Sequence, residues 1–429
     1  MPPELLESWQ SVSSTPGRGA VTLRVRARPP RDGTLTFTWQ SLTGAFEPPR
    51  ETATTSEITW TAPPCGTGLS THLLQSSIRH SSGLSATSVF RISVVCPQWI
   101  PTSDMGTARH DHTASVLPSG RVLVVGRYSG DALDSVEEYD PTTSTWIPRD
   151  DMHWARRFHT ASVLPSGKVL VTGGSNNLNT IISSTELYDP VAPSGHSWSW
   201  AGDMAEIRTA HTATVLPSGK VLIAGGFGVS GALGSAELYD GSAAVKWSRT
   251  GSMKTGRYGH TATVLLSGKV LVVGGDGPNG ALADAELYDP ATGSWTAAGS
   301  LPGPGRANHT ATLLPSGQVL VAGGNTADSA LYDPTSGTWL AVAPMGAARA
   351  YHTATLLPSG RVLVVGGMTA IPLASTEVYD PDSRTWSPSA VLDVARSHHA
   401  ACLLSSGQVL IAGGHTSSAP LASAALYEP

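Results

Sequence analysis

Charge is scarce in this chain. Of 429 residues only 14% are Asp, Glu, Lys or Arg, and 27 basic side chains stand against 32 acidic ones, a net charge of -5. No tract of Lys or Arg occurs, so a sequence-independent grip on phosphate backbones has nothing to drive it, and nucleic acid is not an expected partner. Long apolar runs are missing too. No stretch reaches the roughly 18 apolar residues of a membrane-spanning helix, so no transmembrane segment is expected. The opening MPPELLESWQ lacks the basic and apolar regions of a signal peptide, which implies either a cytosolic protein or one whose leader has been removed. Helices have little to grow on, because 46 glycines and 31 prolines interrupt the chain at about one residue in six. That composition excludes helical bundles and coiled coils and favours many short strands joined by tight turns. Cysteine is limited to three residues.

Repetition is abundant. From residue 99 onward one pattern recurs seven times: Trp, then Met or Leu, then Arg-x-x-His, an apolar strand, Ser-Gly, a second apolar strand and Gly-Gly, and a third strand ending in Tyr. The histidines are His112, His159, His211, His260, His309, His352 and His399, and an arginine lies three residues before each, from Arg109 through Arg396. Their spacing of 43 to 52 residues suits one four-stranded unit per repeat. In HTATVLPSGKVLIAGG, two runs of apolar and β-branched residues flank a Pro-Ser-Gly turn, which reads as a hairpin of strands a and b. AELYDP then supplies strand c, and the segment carrying the next Trp supplies strand d. The pattern begins at Trp99 and ends at Tyr427-Glu428-Pro429, one strand short of a full unit. The missing strand d is therefore expected from the N-terminal side, around Trp99, so that the array closes on itself and leaves no open sheet edges.

These motifs resemble the kelch family, whose β-propeller blades carry a Gly-Gly doublet, a downstream Tyr and a following Trp. The doublets run from Gly173-Gly174 to Gly413-Gly414, with one departure at Gly126-Arg127; the tyrosines run from Tyr139 to Tyr427, and the tryptophans from Trp99 to Trp386. The resemblance implies an all-β fold: a seven-bladed kelch β-propeller over residues 98–429, closed by an N-terminal strand. Residues 1–97 carry no copy of the repeat. AVTLRVRA, TLTFTWQS, SEITWTA and ATSVFRISVV alternate as strands of a small sandwich, with Asp32-Gly33 as a turn and Trp39 as the expected core residue. With one strand ending in Trp-Thr-Ala-Pro, Trp60 to Pro63, this segment resembles the immunoglobulin-like or PKD-like modules of bacterial surface proteins.

Cys65 and Cys96 bracket the end of the small domain, where a disulfide closing a loop of about 30 residues would stabilise it by roughly 3 to 4 kcal/mol; two separate buried thiols are the alternative. Cys402 reads as a small buried apolar residue. With the disulfide in place, a secreted or cell-surface location is expected ahead of a cytoplasmic one.

In a propeller the d-to-a and b-to-c loops share one face. The opposite a-to-b turns repeat Pro-Ser-Gly five times and read as scaffold, whereas loops such as SNNLNTIIS and NTAD vary in length and chemistry. Variation laid over a repeated frame places the binding surface at that mouth of the central channel. The expected ligand-binding residues are His110, Asp111, Arg157, Phe158, Tyr258, Asn308, Tyr351, His398 and His415. Closure makes the last and first blades neighbours, so His398 and His415 are expected near His110 and Asp111. Imidazoles with a carboxylate and the phenol of Tyr351 could alternatively hold a transition metal. Each repeat histidine is expected to satisfy backbone groups near the start of strand a. Five of the seven arginines have a candidate partner in strand c, at Glu137, Glu186, Glu237, Glu286 and Glu377, leaving Arg306 and Arg396 without one. If those pairs do not form, the arginines would make a positive ring able to draw an anionic ligand such as an acidic sugar.

Two functions follow from these readings. One is a monomeric, non-catalytic recognition scaffold for a protein or carbohydrate ligand, needing no cofactor. The other is a copper-dependent oxidase resembling the galactose oxidase family, whose Tyr-His motif is matched by Arg349-Ala350-Tyr351-His352. The position of that family's cross-linked cysteine holds no Cys in any repeat.

Overall fold

The structure is a computed structural model describing residues 2–17, 19–30, 33–63, 65, 71–128 and 132–429. It divides into two compact units, Met1–Pro97 and Gln98–Pro429.

The first unit sets two sheets around one core. Ala20–Arg28 alternates strictly, with Val21, Leu23, Val25 and Ala27 inward and fully buried and arginines outward. It pairs antiparallel with Glu4–Gln10 on one side and Thr55–Thr61 on the other. The second sheet joins Leu35–Ser41, Thr71–His80 and Ser85–Val95, with Ser14–Pro16 added parallel at the edge. The central core tryptophan is Trp60, fully buried, and not Trp39 as the alternation suggested. Trp39 is half-buried because Phe46 and Phe90 flank it while its indole N–H must reach the Ser56 hydroxyl at 3.0 Å. Cys65 and Cys96 are joined in a disulfide with their Cα atoms 5.5 Å apart. Of the expected Asp32-Gly33 turn, Asp32 lies outside the described residues.

The second unit contains seven four-stranded antiparallel sheets, each in the order a-b-c-d. The seventh is completed out of sequence. Gln98–Pro101 pairs with Ala424–Glu428, placing Trp99 opposite Tyr427, and the order runs Ala400–Leu403, Val409–Ala412, Ala424–Glu428, Gln98–Pro101. Strand b is buried at all four positions in blades 2 to 7, as in Val221–Ala224, because both faces meet a neighbouring sheet. Tyr and Trp pack within each blade at ring separations of 5.0 to 5.2 Å. The indole N–H then reaches the preceding blade: Trp146 donates to Ser103 O at 2.8 Å, Trp247 to Ala201 O at 3.2 Å, and Trp99 to Ala390 O at 3.0 Å. Each tryptophan thus links two sheets as well as filling one.

The Gly-Gly doublet has a steric cause. Gly225 sits at φ 61°, and a Cβ there would lie 2.5 Å from Arg257 O and 2.7 Å from His260 Cε1 of the next blade. The single departure, Gly126-Arg127, marks the one blade in which strand b runs on as Val122–Tyr128 and pairs with Ala132–Asp140 through a register shift after Val125. The polypeptide continues the hairpin there instead of turning away.

Candidate functional site

The repeat histidines hold the frame. Each is buried, and six of them bond through Nε2 to the threonine that opens strand a of the preceding blade. The pairs are Thr113–His159, Thr160–His211, Thr212–His260, Thr261–His309, Thr310–His352 and Thr353–His399, at 2.9 to 3.1 Å. Thr172 adds a second contact to His211 at 3.0 Å. The partner at Nε2 is therefore a threonine hydroxyl of the neighbouring repeat, where backbone groups near the start of strand a were expected. His-Thr adjacency, present in six repeats, was the available signal. Burial, ahead of the charge of the nearby arginine, holds His159, His260, His309 and His352 down at about 3.

The arginines are equally enclosed. Arg156 Nη2 meets Glu186 Oε1 at 2.7 Å, Arg208 meets Glu237 at 3.0 Å, Arg257 meets Glu286 at 2.9 Å and Arg349 meets Glu377 at 2.6 Å; Arg109 pairs with Glu137 at 2.5 Å. The same glutamates accept backbone N–H groups of the d-to-a loop, such as Gly106 to Glu137 at 2.7 Å and Ala205 to Glu237 at 2.7 Å. Arg306 and Arg396, which lack a glutamate, keep the carbonyl bonds that the other five also make: Asp328 O at 3.0 Å, and Gly413 O and Ser423 O both at 3.0 Å. None of the seven is more than 3% exposed. A positive ring open to an anion is therefore not formed, because the guanidinium groups are consumed in holding strand c and the loops.

Above this frame lies a second ring. The residue before each repeat histidine adopts a left-handed backbone, with φ between 51° and 61° at Asp111, Phe158, Ala210, Gly259, Asn308, Tyr351 and His398. Six of the seven are not glycine, and such residues hold that conformation only when their surroundings enforce it. The enforcement is a chain of blade-to-blade bonds. The amide of His398 donates to Tyr351 O at 3.0 Å, Tyr351 to Asn308 O at 3.1 Å, Asn308 to Gly259 O at 2.8 Å, Gly259 to Ala210 O at 3.1 Å and Ala210 to Phe158 O at 3.1 Å. Across the closure, Asp111 donates to His398 O at 3.2 Å. The preceding residue bridges to the one after the glycine doublet in several blades, as in Arg157 with Ser175, Tyr258 with Asp276 and Ser397 with His415.

This scaffold brings most of the sequence-derived residues together in one cluster at the ring closure. His110 Nδ1 contacts Asp111 Oδ2 at 2.7 Å, and the His110 ring lies edge-on to His415 at 4.9 Å and to His398 at 6.2 Å. His398 stacks on Tyr351 at 3.9 Å and 22°, and Asn308 Nδ2 donates to the Tyr351 hydroxyl at 2.9 Å. Burial lowers His398 below its ordinary value, with His110 and His415 adding to the shift and Asp111 opposing it. Burial raises the Tyr351 phenol, followed by the charges of Asp111 and Asp276. Phe158 and Arg157 form a separate pair at 5.6 Å, with Arg157 also bonded to Asn179. Tyr258 packs edge-on against Phe227 at 5.3 Å. Phe227 and Asp276 occupy the position directly after a glycine doublet, where the sequence reading had singled out only His415, so that register was the available signal; Asn179 lies further into a loop of unequal length, where no repeat register fixes it.

Among the described residues, no group of three or more His, Cys, Asp or Glu side chains is placed to hold a metal ion. No described helix is long and apolar enough to cross a membrane.

Comparison with known proteins gives two family-model matches. The KLHDC2/KLHL20/DRC7 Kelch-repeats domain matches residues 158–367 and again 243–414, and the Kelch motif matches residues 109–153. No curated protein matches the chain. Among solved structures, a novel fungal alcohol oxidase with catalytic diversity among the AA5 family, in complex with copper, is similar with a TM-score of 0.66 and 20% identity. The match covers 78% of this chain and 77% of that one. At that identity the likeness concerns the fold.

Proposed function

The chain belongs to the kelch-repeat family, and from that premise we propose that it is a non-catalytic recognition scaffold binding a glycan or protein ligand at the variable mouth of the propeller. One observation carries this reading. Seven backbone positions are held in the same left-handed conformation, yet carry Asp, Phe, Ala, Gly, Asn, Tyr and His. A uniform frame presenting different side chains is the arrangement by which repeat proteins build a binding surface. Leu178, Val229 and Ile371, in the loops that follow three glycine doublets, are exposed by 84%, 88% and 63% and offer apolar contact around the polar centre. The disulfide suits an oxidising compartment, so we place the protein at the cell surface or outside the cell, working as a monomer.

Copper oxidation is the competing reading, and the donor set speaks against it. His352 of the Tyr351-His352 motif is buried, and its Nε2 is already bonded to Thr310 at 3.0 Å. No cysteine is free for a cross-link beside Tyr351: Cys65 and Cys96 are paired, and Cys402 is buried in another strand, with its thiol pushed up to about 12 by burial. The Ser397–His398 contact at 3.0 Å likewise offers no reachable nucleophile, since Ser397 is 1% exposed.

The test is a glycan array and a peptide library probed with the full chain, repeated with His398→Ala and Tyr351→Ala. Binding should weaken by about tenfold or more in each variant, the usual scale for a truncated contact at the centre of an interface. Binding that survives both substitutions unchanged contradicts the placement of the site.

A further inference from the structure

The frame is broken at one point. Six repeats open strand a with threonine, whose hydroxyl meets Nε2 of the next repeat histidine; the seventh opens it with Ala400. Ala400 occupies the same register, opposite Ala412, that Thr353 occupies opposite Val365. The histidine it should serve is His112, across the ring closure. His112 is 8% exposed, and neither of its ring nitrogens has a hydrogen-bond partner among the described residues. A buried imidazole without partners loses its hydration without compensation. Such a group persists where something outside the frame satisfies it.

Its position suggests what that is. Ala400, like the threonines at the equivalent places, is only partly buried. At the mouth of that same seam stand His110, Asp111, His398 and His415, the first two from blade 1 and the others from blade 7. Two independent features therefore meet at one junction of the ring: a polar cluster that the fold does not require, and a buried imidazole lacking its hydroxyl.

Resting on the recognition reading above, we infer that the seam between blades 7 and 1 is a carbohydrate subsite in which a ligand hydroxyl takes the place of the missing threonine hydroxyl and bonds to His112. The chemistry of the seam selects a neutral hydroxyl. Burial holds His112 well below the ordinary imidazole value, and Arg109 adds to that, so at neutral pH the ring is uncharged and has no pull on an anion. The Asp111 carboxylate at the mouth repels one. Neighbouring hydroxyls of the same sugar meet Asp111 as acceptor and His415 as either donor or acceptor. The stacked Tyr351 and His398 rings give its apolar face a flat surface.

The experiment uses the whole chain with galactose, glucose, mannose and their disaccharides, and with galacturonate as an acidic control, followed by saturation-transfer NMR and calorimetry. Wild type is compared with Ala400→Thr, with the smaller Ala400→Ser, and with Tyr351→Ala. The threonine hydroxyl completes the frame, so Ala400→Thr should raise the melting temperature and weaken sugar binding by about tenfold or more, the order expected when a ligand's buried hydrogen bond is taken by the protein. Ala400→Ser should act in the same direction. Galacturonate should bind more weakly than galactose. If a neutral sugar binds, Tyr351→Ala abolishes it and both Ala400 variants leave it unchanged, the subsite is refuted while the recognition mouth stands. If none of these sugars binds wild type, the subsite is refuted, and the peptide library decides separately whether the mouth recognises a protein.

Discussion

At the scale of single residues, seven buried histidines make this frame sensitive to acid. In the unfolded chain a histidine titrates near its ordinary value of about 6.5, whereas His159, His260, His309 and His352 are held at about 3 and His112, His211 and His399 well below the ordinary value. Below pH 6.5 the unfolded state therefore binds more protons than the folded one, and stability falls as pH falls, by about 1.4 kcal/mol per pH unit for each histidine once the pH is well under 6.5. Chemical denaturation followed between pH 7 and pH 4 should show a steep loss beginning near pH 6; a flat profile would mean that the imidazoles are not buried neutral. The arginine side of the frame gives a second prediction. Glu186→Ala leaves Arg156 buried without its carboxylate and strips an acceptor from the His153 amide, so urea unfolding should report a loss of about 3 to 5 kcal/mol. These Arg–Glu pairs were readable because both partners recur within one repeat at nearly fixed spacing. The His–Thr bonds were not read, because each joins the threonine of one repeat to the histidine of the next, although the recurring His-Thr letters mark both partners.

At the scale of elements, the glycine doublet, the tryptophan and the c-strand glutamate all act on the neighbouring blade. Gly225→Ala would drive a Cβ against Arg257 O and His260 Cε1 at a positive φ. The expected cost is about 2 kcal/mol or more, read as a lowered urea midpoint, whereas Gly231→Ala, at φ 100° but with open space around it, should cost less by the same measurement. Strand existence and order were legible from the repeat, since apolar runs, Ser-Gly turns and Tyr-Asp ends keep one register. What escaped were strands without the repeat's markers. Thr71–His80 carries buried His72, Ser76 and His80 among its inward positions, and this polar inner face hides its alternation. Glu4–Gln10 is an edge strand with no fully buried residue, and its Leu5, Leu6 and Trp9 do not alternate as one buried face would.

At the scale of the whole molecule, the two units answer to different stabilising devices. The Met1–Pro97 unit carries the Cys65–Cys96 link, so reduction should lower that unit's stability by roughly 3 to 4 kcal/mol while leaving the unfolding of the Gln98–Pro429 unit where it was; calorimetry with and without reductant would separate the two. In the second unit, closure does more than seal edges. It sets the first repeat beside the last, which is how His110 and Asp111 come to share a cluster with His398 and His415, residues nearly 300 positions away. That juxtaposition was legible because counting strands forces the ends together; the stacking of His398 on Tyr351 was not, since the left-handed backbone that orients them has no sequence signature when the residues differ. The most direct measurement is amide hydrogen exchange across the closing sheet. The amides of Ala424–Glu428 and Gln98–Pro101 should exchange as slowly as those of a middle blade such as Ala236–Tyr239, opening only when the ring does. Rapid exchange confined to the closing pair, with the middle blades still protected, would show that the ring is open and that the cluster at its seam does not exist.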